Sequence, residues 1–185
     1  MKKFSIILAF SALFGLGLSS CNDDNQTTWE AYRDWREQNQ TWLAQMQART
    51  NDDGTPYYEV VIPQWNPSTF VLMHFFNDRA ETVGNLTPLY TSTVDTRYML
   101  HLCDGTPIDS STSTSTSGIF RTQLTSVVQG WAAALTNMRC GDTAEVIIPY
   151  TLGYGTSVTS AIPPYSALQF GIRLVDIPNY ETTPY

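Results

Sequence analysis

At 185 residues, with an apolar share of 42% and a formal charge of −7, the chain has room for one packed domain and a short appendage. Lys2 and Lys3 are its only lysines, so everything after them carries eight arginines against 17 acidic residues, a formal charge of −9. That excludes Schiff-base and P-loop lysine chemistry, argues against nucleic-acid binding, and leaves no electrostatic attraction to anionic lipid.

The first predicted element is a secretory signal peptide over residues 1–20. Lys2 and Lys3 precede the apolar run FSIILAFSALFGLGL, which is short for a membrane span and ends in small residues. The sequence Leu18-Ser19-Ser20-Cys21 at the end of that run resembles the lipobox of bacterial lipoproteins. The resemblance implies cleavage before Cys21, diacylation of its sulfur and acylation of the new N-terminus. It places the protein in the bacterial envelope, with the outer membrane, periplasmic or surface face, as the expected site. Residues 21–27 form a polar, lipidated tether. Its CNDDN run is similar to acidic signals that send some lipoproteins to the cell surface, and reads equally as a solvated linker.

Residues 28–50 are predicted as an N-terminal helix, with Thr28 as N-cap and Glu30 at the positive end of its dipole. Trp29, Tyr32, Trp35, Trp42, Leu43 and Met46 recur at three- to four-residue spacing, a stripe that predicts docking of the helix on its own domain. The Asn51-Asp52-Asp53-Gly54 turn opens a second region, residues 51–185. Strands are predicted over 57–62, 69–76, 92–102, 120–124, 143–148 and 167–177 from β-branched and aromatic content. Asp104-Gly105 is a turn, residues 110–117 are a low-complexity Ser/Thr loop, and residues 129–135 are a short helix. Many strands around one short helix predict an antiparallel α+β domain.

Conventional catalytic sets are absent. His74 and His101 are the only histidines and sit in apolar strand runs, and no HExxH, GxSxG or GxGxxG occurs. No CxxC or Cys/His spacing suggests zinc, so neither metal nor other cofactor is expected. Beyond Cys21, Cys103 and Cys140 are read either as a disulfide, which an exported protein can keep, or as two buried thiols.

The stretch VQGWAAALTNMRCGDTAEVIIPYTLGYGTSVTSAIPPYSALQFGIRLVDI, preceded by TVDTRYMLHLCDGTPIDSS, resembles the FKBP-type peptidyl-prolyl isomerase domain in the order and spacing of its motifs. The resemblance covers residues 88–177, with weaker support from about residue 57. It implies an FKBP-like antiparallel sheet wrapped on a short central helix, with the N-terminal helix added. It also implies a rotamase pocket made of Tyr98, Asp109, Trp131, Tyr154 and Phe170, with Ile108, Phe120, Val127, Val128 and Ile162 against the substrate. One strand ending in Cys103 and a partner strand following Cys140 would bring those thiols together.

Four positions depart from the family pattern. Ile108 stands where most active members have Phe, Gly118 where another aromatic is common, Leu100 where Gly is usual, and Tyr165 follows the Pro-Pro pair. The function implied is cis-trans isomerisation of prolyl bonds in exported polypeptides, an aid to protein folding at the membrane, by a chain expected to be monomeric. The alternatives are a catalytically weak FKBP-like module that binds polypeptides, and a purely structural surface lipoprotein.

Overall fold

The computed structural model describes residues 27–180, so the signal-peptide, Cys21 and tether assignments lie outside the described residues. Two helices open the chain, α1 (Thr28–Ala31) and α2 (Arg33–Ala48). The strands are β1 (Glu59–Val61), β2 (Val71–Phe75), β3 (Thr93–Leu102), β4 (Pro107–Ser110), β5 (Phe120–Gln123), β6 (Thr143–Ile148) and β7 (Leu168–Asp176). Two more short helices, α3 (Ser111–Thr114) and α4 (Gln129–Leu135), interrupt them. The strands form one antiparallel sheet in the order β1-β2-β6-β7-β3, with β4 and β5 both pairing to the far edge of β3.

Alternation along β7, and along β3 from Thr96 onward, follows from their two unlike faces. Val94, Tyr98, Leu100 and Leu102 of β3, with Leu168, Phe170, Ile172 and Leu174 of β7, point into the main core beneath α4. Arg97 and Met99, on the opposite face, are exposed. Toward β2 and β6 the second face is covered as well: Leu72 and Ile147 meet Tyr58 and the half-buried Trp42, Leu43 and Met46 of α2. That double cover explains the unbroken buried run at the start of β2. α4 lies against β6 because residue 130 is Gly; a Cβ there would stand 2.2 Å from Ile148 Cγ2.

The predicted N-terminal helix docks on the sheet, with two differences from expectation. Its cap is Thr27, not Thr28: the Thr27 hydroxyl accepts from Glu30 N at 3.3 Å, and Tyr32, at φ −109° and ψ 24°, separates α1 from α2. The most buried residues of its docking face are polar. Asn39, 3% exposed, donates to Trp35 O and accepts from Ala167 N at 2.8 Å, and Arg36 lies over the Trp29 ring while donating to its carbonyl. Trp35 Nε1 adds a bond to Ser166 Oγ at 3.0 Å.

The Ser/Thr run is not simply a loop. Ser110 caps α3 by accepting from Ser113 N, and Ser111, 2% exposed, accepts from Tyr98 N at 3.1 Å, which draws the turn onto β3.

Cys103 and Cys140 are free, and the sheet order forbids their pairing. β7 lies between β3 and β6, and the two thiols sit at opposite ends of the strands. Cys103 follows Leu102, which pairs with Leu168, whereas Gly141 beside Cys140 bonds Leu174. The length of β6, about 17 Å at 3.3 Å per residue, separates these ends, far beyond the ~7 Å Cα limit for a disulfide. Both thiols are half-buried and their pKa values are raised, first by burial and then by nearby Asp104 for Cys103 and Asp176 for Cys140.

Candidate active site

A cavity of about 350 Å³ opens between β3, β4, β5, β7 and the start of α4. It is lined by Tyr98, Leu100, Asp109, Thr114, Phe120, Ser126, Val127, Val128, Trp131, Tyr154 and Phe170. Each wall follows from local structure. Alternation on β3 turns Tyr98 and Leu100 inward together, Phe170 stands opposite Leu100 on β7, and the first turn of α4 sets Trp131 on the floor.

Trp131 is 3% exposed and meets three rings edge-on: Tyr98 at 5.3 Å, Phe170 at 5.5 Å and Phe120 at 6.0 Å between centroids. Tyr98 also meets Phe120 at 5.4 Å and Phe170 at 6.2 Å. Edge-to-face contacts suit the ring quadrupoles and keep the four rings from collapsing into a flat stack. The indole Nε1 is buried with no acceptor among the described residues.

A hydrogen-bonded polar pair faces this largely apolar space, beside the hydroxyl-bearing Thr114 and Ser126. Tyr98 OH donates to Asp109 Oδ2 at 2.6 Å, while Asp109 Oδ1 accepts from Ser110 N at 2.7 Å. Burial, then the bond to Asp109, raise the Tyr98 pKa well above its ordinary value, so the phenol is neutral across the physiological range. Tyr154, 41% exposed, stands at the rim on the loop after the turn Tyr150–Leu152. Val128 marks the start of α4, where backbone N–H groups have no intrahelical acceptor.

The cavity brings together Tyr98, Asp109, Phe120, Val127, Val128, Trp131, Tyr154 and Phe170. Ile108 and Ile162 do not line it. Ile108 packs half-buried against the core from β4, and Ile162 turns inward, 5% exposed, with its N–H and carbonyl both bonded to the Thr159 hydroxyl. Gly118 takes φ +66° in the turn before β5, which a side chain rarely adopts, so no aromatic reaches the cavity from there. Leu100, Thr114 and Ser126 were not among the expected lining. The i, i+2 spacing from Tyr98 marks Leu100; nothing in a Ser/Thr repeat marks Thr114.

The sequence and the fold have counterparts among known proteins. Residues 84–175 match the sequence profile of the FKBP-type peptidyl-prolyl cis-trans isomerases. A Trypanosoma cruzi macrophage infectivity potentiator is 38% identical over 103 residues, 55% of this chain and 52% of that protein. The Legionella longbeachae outer membrane protein MIP is 37% identical over 91 residues, 49% of this chain and 38% of that protein. The chain thus spans about half the length, or less, of these curated relatives. In fold, the crystal structure of a peptidyl-prolyl cis-trans isomerase from Pseudomonas syringae superposes with a TM-score of 0.63 at 24% identity, covering 79% of this chain and 95% of that one. The chain therefore carries, over residues 84–175, a domain that belongs to the FKBP-type peptidyl-prolyl cis-trans isomerase family.

Proposed function

We propose that this protein isomerises Xaa-Pro bonds in exported polypeptides at the bacterial cell envelope, where acyl chains on Cys21 hold it to the membrane. The observation that carries the reading is the cavity of four edge-packed rings with the Tyr98–Asp109 hydrogen bond at its wall. Rotation about an Xaa-Pro bond meets a barrier of about 20 kcal/mol set by amide resonance. The planar amide is charge-separated and stabilised by water; the twisted amide has lost that polarity. A dry aromatic cavity stabilises the planar form less while still fitting the twisted one, which is differential binding of the transition state. In this reading Trp131 and Phe170 bound the proline ring, and Tyr98 and Phe120 the preceding carbonyl. Tyr154 OH and Val128 N–H hold neighbouring carbonyls in register. Asp109 fixes the Tyr98 hydroxyl. No proton leaves the substrate.

Location rests on the sequence of residues 1–21 and on the printed name of the Legionella relative as an outer membrane protein. Two or more acyl chains give stable attachment. Residues 28–50 serve as a brace on the catalytic unit, residues 51–185. Cys21→Ala should release the protein or leave an unprocessed precursor; unchanged lipid labelling of that variant would remove the anchor from the proposal.

A second reading, a polypeptide-binding module with weak catalysis, is favoured by one specific observation. Ile108 stands off the cavity and Gly118 adds no ring, so the aliphatic Leu100 completes the wall. A protease-coupled assay on Leu-Pro peptides separates the two. Turnover above the spontaneous rate supports the isomerase; binding without turnover, not restored by Ile108→Phe, leaves the module.

A further inference from the structure

The loop that carries Tyr154 returns to β7 through Tyr165, Ser166 and Ala167, and each of these three residues is held by the N-terminal helices. The Trp29 ring meets the Tyr165 ring edge-on at 5.6 Å. Trp35 Nε1 donates to Ser166 Oγ at 3.0 Å, and that hydroxyl donates to Pro163 O at 2.7 Å. Ala167 N donates to Asn39 Oδ1 at 2.8 Å.

Tyr165 is the demanding member of the three. Its φ of +64° lies in the left-handed region, which Gly and Asn enter readily and a bulky side chain does not. Such a residue persists where its surroundings hold it. Here the ring is 5% exposed and packs edge-on against two others, Trp29 and, at 5.5 Å, Tyr150. Trp29 itself is 49% exposed and stands outside both core clusters. Its contacts are the Arg36 guanidinium over its face and the Tyr165 ring at its edge.

The turn held in this way reaches the proline cavity. Tyr165 N donates to Gly155 O at 2.9 Å across the neck of the loop, and Gly155 N donates to Tyr150 O at 2.9 Å. Tyr150, Gly155 and Tyr165 are therefore joined by two backbone bonds and one ring contact, and Tyr154 is the residue next to Gly155. Tyr154 lines the cavity but is 41% exposed, so its own packing fixes it weakly. Its place at the rim comes from the backbone beside it.

We propose that Tyr165 and Trp29 are positioning residues for the isomerisation. The N-terminal helices clamp the Tyr165 ring, the clamp holds its left-handed backbone, and that backbone sets the Tyr154 hydroxyl at the cavity rim. The proposal rests on the isomerase reading, and it makes α1 and α2 part of the working site as well as a brace.

The test measures kcat/KM of the purified full chain on a Leu-Pro peptide by exchange NMR. Trp29→Ala should lower it about fivefold with the urea midpoint nearly unchanged, and Trp29→Phe, which keeps a ring against Tyr165, should restore most of the rate. Added to Tyr154→Phe, Trp29→Ala should cost nothing further, because a hydroxyl that is absent cannot be misplaced. Should Trp29→Ala fail to fold, the same comparison runs at the other partner. Tyr165→Ala should lose rate, and Tyr165→Asn, which accepts the left-handed backbone without a ring, should recover part of it. Wild-type kcat/KM in Trp29→Ala would overturn the proposal, as would a loss of equal size with and without the Tyr154 hydroxyl, or equal rates in the two Tyr165 variants. If the wild type turns over no peptide, the isomerase reading fails separately and amide exchange decides. Exchange of the Tyr165 N–H about tenfold faster in Trp29→Ala, with the β6 and β7 amides unchanged, supports the clamp, and equal protection overturns it.

Discussion

The two faces of the sheet carry the same chemical pair in opposite circumstances. On the main-core face Tyr98 OH donates to Asp109 at 2.6 Å; on the other face Tyr58 OH donates to Glu145 at 2.8 Å. In both, burial and then the carboxylate raise the phenol pKa. Under α2 the pair is closed off: Tyr58 OH also touches Met46 Sδ at 3.7 Å, and Glu145 accepts from Gln169 Nε2. Between β3 and α4 the pair borders an open cavity instead. A buried tyrosine–carboxylate bond is thus no mark of function in itself. What distinguishes the Tyr98 pair is the empty apolar space in front of it.

The comparison breaks most decisively at Trp131. Trp131→Ala removes the floor shared by three rings and should cost about 3–5 kcal/mol of stability together with nearly all isomerisation. Urea unfolding and the peptide assay, run on one preparation, check both. A stable, inactive variant would mean that the indole acts on substrate with little part in the core.

The two tyrosines sharpen it. Tyr58→Phe should lower stability by about 1–2 kcal/mol, because Glu145 loses one of its partners, and leave the rate alone. Tyr98→Phe should cost about as much stability and also lower kcat/KM about tenfold, an effect of some 1.4 kcal/mol on the barrier. Equal rates in the two variants would show that the open pair is as structural as the covered one.

Proton linkage gives a smaller, global readout. Both phenols have folded pKa values raised above the ordinary value of 10.0, so their contribution is fully present below pH 10 and is lost as pH rises through the folded values. Asp142 sets the acid limb. Burial alone would raise it, but bonds from Thr82, Arg139 N and Asn77 and the charge of Arg79 outweigh that and hold it below 3.8. Its contribution is present above about pH 4 and lost as pH falls further. Thermal unfolding from pH 3 to pH 11 should therefore give a plateau with two falling limbs. Tyr58→Phe and Tyr98→Phe should each soften the alkaline limb, and Asp142→Asn the acid one. The isomerisation rate should stay flat from pH 6 to 9, since the Tyr98 phenol is protonated throughout.

The smallest effects concern the rim. Tyr154→Phe removes one exposed hydroxyl and should lower kcat/KM a few-fold with unfolding unchanged. Ile108→Phe should raise it a few-fold if a ring on β4 can reach past Leu100. No gain in that variant would assign the narrowing of the cavity to Leu100 itself.

The fold was legible where periodicity is local. Alternation along residues 92–102 and 167–177 reports two unlike faces, and Gly130-Trp131 before an alanine run reports a short helix pressed on a strand. The family resemblance carried the site: spacing placed Tyr98, Asp109, Trp131, Tyr154 and Phe170 within one order of motifs. What escaped depends on neighbours distant in sequence. Asn39 is buried because Ala167 N, 128 residues away, needs an acceptor. Ser111 leaves the solvent because Tyr98 N does. Ile162 turns inward because the Thr159 hydroxyl bonds its backbone at both ends. Proximity of Cys103 and Cys140 was inferred from strands that do not pair, and only the insertion of β7 between them reveals it.

That same insertion governs when the molecule can exist at all. β7 is the last strand in chain order, yet it is the seam between β2-β6 and β3-β4-β5. It pairs with β3 from Asp95 to Leu102 and with β6 from Thr143 to Ile148. Until residues 168–176 are in place the chain holds two half-sheets, each with a bare edge and half of an apolar core. Such long-range closure makes folding slow and all-or-none, with contacts spanning most of the domain. The cavity, walled by Phe170 of β7, is completed by the same strand that joins the two half-sheets.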